Sequence, residues 1–164
     1  MAEIIIRQYE ERDRAALQKC IEDLQDHEAA CDPIKLIVNK EGFGTVYIEV
    51  LLERMTKEDG MIYVAESDGA VVGIIACVIV HYERREVLGR SSSSPYGYVV
   101  DLFVLPEFRG NDLGSKLMAS AEEYFRSKGC DFSTVGVLAP NKGSWDFYKK
   151  IGYAERYIDF IKKL

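Results

Sequence analysis

The chain has 164 residues, of which 48% are hydrophobic and 29% are charged, with ten Tyr and seven Phe. This composition is typical of a folded globular protein, and it excludes a disordered or fibrous chain. The length suits a single domain over residues 1–164 with a sizeable core. The formal net charge of −6 argues against a nucleic-acid partner, because proteins that bind the phosphate backbone carry a basic surplus. An acidic chain more readily attracts a cationic small molecule or a basic peptide.

No stretch approaches the roughly 20 consecutive apolar residues that a membrane helix needs. The first residues lack the basic start and the long apolar core of a signal peptide. The four cysteines, Cys20, Cys31, Cys77 and Cys130, include no C-x-x-C pair that would indicate zinc or dithiol chemistry. Reduced thiols packed as small core residues are the favoured interpretation. We therefore expect a cytoplasmic protein with no membrane partner.

The first half of the chain predicts a strand, two helices and a hairpin. Residues 3–9 form a short β-branched run typical of a strand. Apolar residues then recur at helical spacing, and a second amphipathic helix is predicted over 46–55 after an irregular connection. Two β-rich runs, 61–67 and 71–83, flank Asp68-Gly69, which is the strongest hairpin signal in the chain.

The second half alternates strands with helices. A polar, Ser-rich segment, 84–97, is either a loop or the tip of another hairpin. This order requires a mixed sheet, antiparallel among the hairpins and parallel where a helix crosses over. The predicted class is α/β in the α+β sense, with a mostly antiparallel central sheet and about four helices. The remaining predicted elements are strands at 96–105, 131–138 and 153–164, and helices at 114–129 and 144–152.

The stretch LPEFRGNDLGSKLM, residues 105–118, joins a strand to a helix through a turn with glycines. Unpaired backbone N–H groups at a helix N-terminus favour an anion, and Arg109 adds a positive charge. The stretch lacks the G-K-[ST] of a Walker loop and the G-x-G-x-x-G of a dinucleotide site. Taken alone it indicates either an anion site or only the start of a helix.

A companion motif, NKGSWDFYKKIGY, begins at Asn141. The two motifs at this spacing, after this order of strands, resemble the GNAT superfamily of acyl-CoA N-acyltransferases. The family's L-x-V strand end corresponds to residues 102–104, and its [Q/R]-x-x-G-x-[G/A] turn to residues 109–114. Its later Asn, followed by F-Y-x-x-x-G-[F/Y], corresponds to Asn141 and residues 147–153. The resemblance covers nearly the whole chain in element order and is strongest in its last third.

The resemblance implies that acetyl-CoA is the co-substrate and that a substrate amine attacks the thioester directly. The backbone N–H groups of the turn would bind the pyrophosphate, and the main chain of Phe103 and Val104 would align the pantetheine arm like an added strand. The N–H of Val104 would stabilise the oxyanion. The residues implied in binding CoA are Phe103, Val104, Arg109, Gly110, Asn111, Asp112, Leu113, Gly114 and Asn141.

Three residues of the two motifs leave alternatives open. Asp112 replaces the first glycine of the family's turn, and its carboxylate should repel a pyrophosphate unless the side chain turns outward. Asp tolerates the left-handed backbone better than most residues. Asn141 is either a helix N-cap or a contact to CoA. Tyr148 matches the family position that protonates the departing thiolate, or else it is a core aromatic; a phenol of pKa about 10 can protonate a thiolate of pKa about 8.5.

Asp101 lies within the apolar strand YVVDLFVLP. A buried carboxylate is costly unless it is paired or functional. Strict alternation would place Asp101 on one face with Val99, Phe103 and Leu105. Asp101 is a candidate for binding an ammonium and accepting its proton, or for an ion pair or hydrogen bond with a neighbouring strand.

His27 and Glu28 lie where diamine acetyltransferases of the superfamily place an aromatic-Glu pair against the substrate, and residues 101–104 resemble that branch's D-F-F-V. No metal site is predicted there, because Cys31 replaces the second His of a zinc helix motif. We expect an acetyltransferase acting on a small cationic amine. The alternatives are a protein or peptide N-acetyltransferase and a non-catalytic acyl-CoA-binding module. The resemblance also makes a homodimer plausible.

Overall fold

The computed structural model describes residues 3–83, 86 and 92–163. Five strands form one sheet in the order of the chain. Neighbouring strands are antiparallel except the last pair, which is parallel. The strands are β1 Ile4–Gln8, β2 Met61–Ser67, β3 Ala70–Val80, β4 Tyr96–Val104 and β5 Ser133–Val135.

Four α-helices within the described ranges cover the two faces of this sheet. A core cluster beneath α3 contains Leu117, Ala121 and Phe125, and a second cluster on the other face contains residues of α1 and α2. The mixed sheet and four helices confirm the predicted fold class. The helices are α1 Arg14–Cys31, α2 Phe43–Lys57, α3 Leu113–Ser127 and α4 Lys142–Lys150, with short 3-10 helices at Glu11–Asp13 and Pro106–Phe108.

The predicted hairpin at Asp68-Gly69 is confirmed, since β2 and β3 pair antiparallel across this turn. The strand predicted over 153–164 is wrong for the described part of the chain, because residues 154–163 pair with no strand. That segment has β-type residues and lacks a neighbouring strand within the described chain to complete a ladder. Most of the Ser-rich segment 84–97 lies outside the described residues, so its prediction as a loop or hairpin tip stays a prediction.

The pairing of β4 creates the opening that the site occupies. β5 pairs only with the first part of β4, from Gly97 opposite Ser133 to Val99 opposite Val135. Beyond Val99, β4 continues as far as Val104 beside β3 alone. The last part of β4 therefore has one unpaired edge. Within the described ranges, no helix is both long enough and apolar enough to cross a lipid bilayer.

Candidate active site

A cavity of about 470 Å³ opens where β4 and the chain after β5 diverge. Its walls come from four parts of the chain: the end of α1, the free part of β4, the turn before α3 with the first residues of that helix, and α4 with the segment before it. Of the residues predicted for the site, all but one line this cavity. Those that line it are His27, Glu28, Asp101, Phe103, Val104, Arg109, Gly110, Asp112, Leu113, Gly114, Asn141 and Tyr148.

The hydrogen bonds between β4 and β3 determine which main-chain groups of β4 lie on its free edge. The N–H of Leu105 donates to the carbonyl of Val72 at 3.0 Å. Main-chain groups alternate sides along a strand, so those of Phe103 also point to β3, while those of Leu102 and Val104 point to the cavity. The expectation that Phe103 offers its main chain to a ligand is therefore wrong, and Leu102 takes that place. The N–H of Val104 remains available on the open edge.

A β-bulge breaks the alternation of β4 before Asp101. Ala76 pairs with Asp101 and Cys77 with Val99, so Val100 is an extra residue. Val99 consequently packs in the cluster beneath α3, while Phe103 packs on the opposite face with α1 and α2. The expectation that Val99 shares a face with Asp101 is wrong for this reason. The bulge directs the Asp101 side chain toward α2.

The turn before α3 has two residues with left-handed backbone. Gly110 has φ 80° and Asp112, the residue that precedes the helix, has φ 55°. The Asp112 side chain is exposed and makes no capping hydrogen bond. The first intrahelical bonds begin at Lys116, whose N–H donates to the carbonyl of Asp112 at 3.0 Å. The N–H groups of the first helical turn are left for another acceptor.

Two residues of this turn depart from the prediction. The N–H of Arg109 donates to the carbonyl of Pro106 at 3.2 Å, so it is not available for a pyrophosphate. Its side chain instead fixes the turn, because Nε donates to the carbonyl of Val104 at 2.8 Å and the guanidinium lies 5.5 Å from the centre of the Phe103 ring. Asn111 is the predicted residue that does not line the cavity, since it lies exposed outside the wall.

Asp101 is 8% exposed and lines the cavity. The hydroxyl of Tyr47 in α2 donates to both of its carboxylate oxygens, at 3.1 Å from Oδ1 and 3.0 Å from Oδ2. Burial raises the pKa of Asp101 to about 6, opposed by this hydrogen bond and reinforced by the negative charge of Glu28. The hydrogen-bond partner of Asp101 is thus a residue of helix α2 and not, as expected, a residue of a neighbouring strand. Burial therefore brings the pKa of Asp101 closer to neutral pH than that of an exposed carboxyl.

Glu28 and His27 reach the cavity from the last turns of α1. Glu28 is half-buried, and this burial raises the pKa of its carboxyl above the ordinary value. The charge of Glu28 also raises the pKa values of Asp101 and Tyr148, which places all three groups in one electrostatic environment. His27 is exposed at the rim. One end of the cavity is therefore acidic.

Tyr148 lines the same cavity from α4. Its ring packs edge-on against Phe147 and Tyr153, with centroids 5.1 Å and 5.8 Å apart. Its hydroxyl makes no hydrogen bond to any residue in the described ranges. Burial raises the pKa of Tyr148 above the ordinary phenol value, so the hydroxyl stays protonated at neutral pH. The ring of Tyr148 packs against the core, and its hydroxyl remains available to a ligand in the cavity.

Asn141 is the N-cap of α4, and it also lines the cavity. Its Oδ1 accepts a hydrogen bond from the N–H of Ser144 at 3.2 Å. The cap leaves the amide NH₂ for another partner, so the two interpretations of Asn141 are compatible. The part of the chain that the structure describes has no group of three or more His, Cys, Asp or Glu side chains arranged to hold a metal ion.

Sequence reasoning missed two features of the site. Tyr47 lies in a predicted helix, but its contact with Asp101 depends on how α2 packs on the sheet. Residues 136–138 form a cavity wall after β5 because the chain leaves the sheet there. Gly136, inside a predicted strand, is the one local signal for that departure.

Comparison with known proteins agrees with this architecture. Residues 21–153 match the Acetyltransferase (GNAT) family. The chain is 28% identical over 156 residues to a thialysine N-epsilon-acetyltransferase of Bos taurus, a match that covers 93% of this chain and 85% of the relative. An uncharacterised N-acetyltransferase of Methanocaldococcus jannaschii is 32% identical over 127 residues, and the match covers 76% of this chain and 51% of the relative, about half its length.

The fold is also that of a solved aminoglycoside N-acetyltransferase, AAC(6')-Iy, in complex with CoA. The two structures superpose with a TM-score of 0.74 at 21% identity, over 99% of this chain and 96% of the other. The predicted resemblance to acyl-CoA N-acyltransferases is confirmed. The chain belongs to the acetyltransferase (GNAT) family.

Proposed function

We propose that the chain transfers an acetyl group from acetyl-CoA directly to the primary amine of a small cationic acceptor. The observation that carries this proposal is that one cavity joins three parts. They are a helix N-terminus with open N–H groups, an unpaired edge of β4, and an acidic end in a cavity that Tyr148 also lines. A module that only binds acyl-CoA needs neither the tyrosine nor the acidic end.

The turn before α3 and the free edge of β4 fit the two parts of CoA. The N–H groups from Gly110 to Ser115 suit a pyrophosphate, since a helix N-terminus favours anions. The amide NH₂ of Asn141 is a further donor at the same wall. On the free edge of β4, the main chain of Leu102 offers a donor and an acceptor and that of Val104 offers its N–H, as a sheet edge does to an added strand. The carbonyl of Val104 already accepts from Arg109 Nε. Acetyl-CoA supplies an activated thioester when bound.

The acceptor end supplies the proton chemistry. An alkylammonium has a pKa of about 10 and must lose a proton before its nitrogen can attack a carbonyl carbon. Asp101 and Glu28 attract the cation, and the Asp101 carboxylate accepts the proton directly or through water. The new N–C bond forms as the C–S bond breaks. The N–H of Val104 stabilises the negative charge on the carbonyl oxygen.

Tyr148 supplies a proton to the departing sulfur. Its hydroxyl is protonated at neutral pH and has no partner among the described residues. The thiolate becomes a thiol, and the proton that the attacking nitrogen loses on forming the amide returns to the Tyr148 phenolate and restores its hydroxyl. Reaction of an ammonium therefore releases one proton overall, which Asp101 passes to solvent.

Thiol release from acetyl-CoA with a panel of amines tests the proposal. The panel contains a diamine, an amino acid, an aminoglycoside and a lysine peptide, and we expect the highest kcat/KM with a small cationic amine. Tyr148→Phe should lower kcat by about 10²- to 10⁴-fold. Tyr9→Phe is the control, because Tyr9 bonds Glu11 outside the cavity.

The outcomes separate the alternatives. Turnover with the peptide alone supports a peptide N-acetyltransferase. A thermal shift with acetyl-CoA but no turnover with any amine supports a binding module. Unchanged kcat in Tyr148→Phe overturns the role given to Tyr148.

We propose a cytoplasmic homodimer. The four cysteines carry free thiols, which suits a reducing compartment. Among the residues that the structure describes, β5 has a paired strand on one side only, and the segment 157–161, after α4, exposes large apolar side chains. Phe160 is 94% exposed. A second copy could add a strand to this edge and cover these side chains.

Light scattering of the full chain tests the dimer. We expect the mass of two chains for the wild type and of one chain for Phe160→Ser. Leu36→Ser, which changes an exposed apolar residue elsewhere, should remain dimeric. A monomeric wild type overturns the dimer.

A further inference from the structure

We infer that Tyr47 is a positioning residue, which holds the Asp101 carboxylate in its ionised form and in a fixed orientation toward the acceptor. This inference rests on the proposed function, since the task given to Asp101 belongs to it. It assigns a role to a residue of α2 that does not itself line the cavity.

The geometry supports a specific contact. One hydroxyl lies nearly equidistant from the two carboxylate oxygens, at 3.1 Å and 3.0 Å. Asp101 is 8% exposed and has no salt bridge to a described cation. A buried carboxylate without a hydrogen-bond donor takes up a proton, because burial disfavours the charged form. The Tyr47 hydroxyl supplies such a donor from outside the cavity.

The charged and titratable groups around Asp101 act in opposite directions. From α2, Tyr47 and the cation of Arg54 lower the pKa of Asp101, and from α1 the charge of Glu28 raises it. β3 presents Ala76 opposite Asp101 and therefore no ionisable group. Removal of the Tyr47 hydroxyl and removal of the Glu28 charge should therefore shift the pKa of Asp101 in opposite directions.

Tyr47 is held in place independently of Asp101. Its ring packs against Phe43 one turn earlier in α2, with centroids 5.2 Å apart. Burial and the Asp101 carboxylate raise the pKa of Tyr47, so its hydroxyl is protonated and can donate at neutral pH. Tyr47→Phe removes the hydroxyl and keeps the ring contact. This variant isolates the hydrogen bond from the packing.

The experiment compares the wild type with Tyr47→Phe and Glu28→Gln by NMR titration of the Asp101 side-chain carboxyl carbon. In Tyr47→Phe the midpoint should move to higher pH by about one pH unit, because a hydrogen bond to the anion is lost. In Glu28→Gln it should move to lower pH, because a like charge is lost. Unfolding midpoints in urea check that both variants fold.

The same three proteins are then assayed for kcat/KM against pH with the best amine. The acidic limb should move to higher pH in Tyr47→Phe, which a purely structural role would not produce. A midpoint and a limb that both stay at the wild-type pH overturn the inference. If no amine is turned over, the proposed function fails, and the NMR midpoints still decide whether Tyr47 controls the ionisation of Asp101.

Discussion

Asp112 combines a left-handed backbone with an exposed carboxylate at the N-terminus of α3. A non-glycine residue in this conformation is strained by roughly 1–3 kcal/mol unless its surroundings compensate. Its negative charge also lies beside the N–H groups that we assign to the pyrophosphate. Asp112 is therefore unfavourable in two ways: its backbone lowers stability, and its charge opposes binding of the pyrophosphate. Two substitutions separate these effects.

We expect Asp112→Asn to lower the KM for acetyl-CoA by about fivefold or less. Removal of one like charge at about 4 Å in water is worth about 1 kcal/mol. Asn keeps the tolerance for left-handed backbone, so stability should change little. Asp112→Gly should give the same gain in KM and also raise the free energy of unfolding. Steady-state kinetics and urea unfolding provide the two readings.

Salt provides the control for this charge effect. The gain in Asp112→Asn should shrink as ionic strength rises, because exposed charges are screened. An equal KM in wild type and Asp112→Asn at low salt would mean that the carboxylate points away from the ligand. In that case the role of Asp112 is confined to the left-handed backbone of the turn.

The sequence motifs identified most residues of the site, but they did not predict which side chains contact one another. Tyr148 and Asp101 could be named because a tyrosine in a characteristic motif and a carboxylate in an apolar strand stand out locally. Tyr47 could not, since nothing in its own segment distinguishes it from a core aromatic. Arg109 was expected to meet an anion, yet its Nε bonds the carbonyl of Val104. Both cases depend on tertiary packing.

Strand β4 and helix α3 lie close together at Gly97. An added Cβ at Gly97 would lie 2.3 Å from Cγ of Phe125, whose ring fills the core beneath α3. No heavy-atom contact as short as this is tolerated without movement of the ring or the strand. Glycine at position 97 therefore allows α3 to sit directly on β4.

We expect Gly97→Ala to lower the free energy of unfolding by about 1–3 kcal/mol through overpacking. Gly143→Ala is the matched control, since the nearest atom to its added Cβ is Asn141 Oδ1 at 3.9 Å. That change lies within α4 and should be neutral or slightly stabilising. Urea unfolding followed by circular dichroism measures both. A neutral Gly97→Ala would mean that the Phe125 ring can move aside at little cost.

The order and type of the elements could be predicted from hydrophobic periodicity, but their interruptions could not. Alternation along β4 fails at Val100, because a bulge adds one residue without changing the composition. The segment after α4 has the residues of a strand and no strand beside it in the described chain. Strand formation depends on a partner as well as on propensity.

The whole molecule combines a net charge of −6 with an acidic cavity end. A field of this sign raises the local concentration of cations and repels anions. In the proposed reaction, acetyl-CoA binds through local N–H groups against the overall field, whereas the cationic acceptor that we propose is drawn toward Glu28 and Asp101. The two substrates should respond differently to salt.

We expect the KM of a cationic acceptor, measured at saturating acetyl-CoA, to rise about three- to tenfold between about 0.01 M and 0.15 M ionic strength. The Debye length falls from about 30 Å to about 8 Å over this range, so the attraction of distant charges is lost. Glu28→Gln is the control: its KM should start higher at low salt and rise less, because one of the attracting charges is gone. Equal salt slopes in the two proteins would show that Glu28 takes no part in attracting the acceptor, and a KM independent of salt in both would point to an uncharged acceptor.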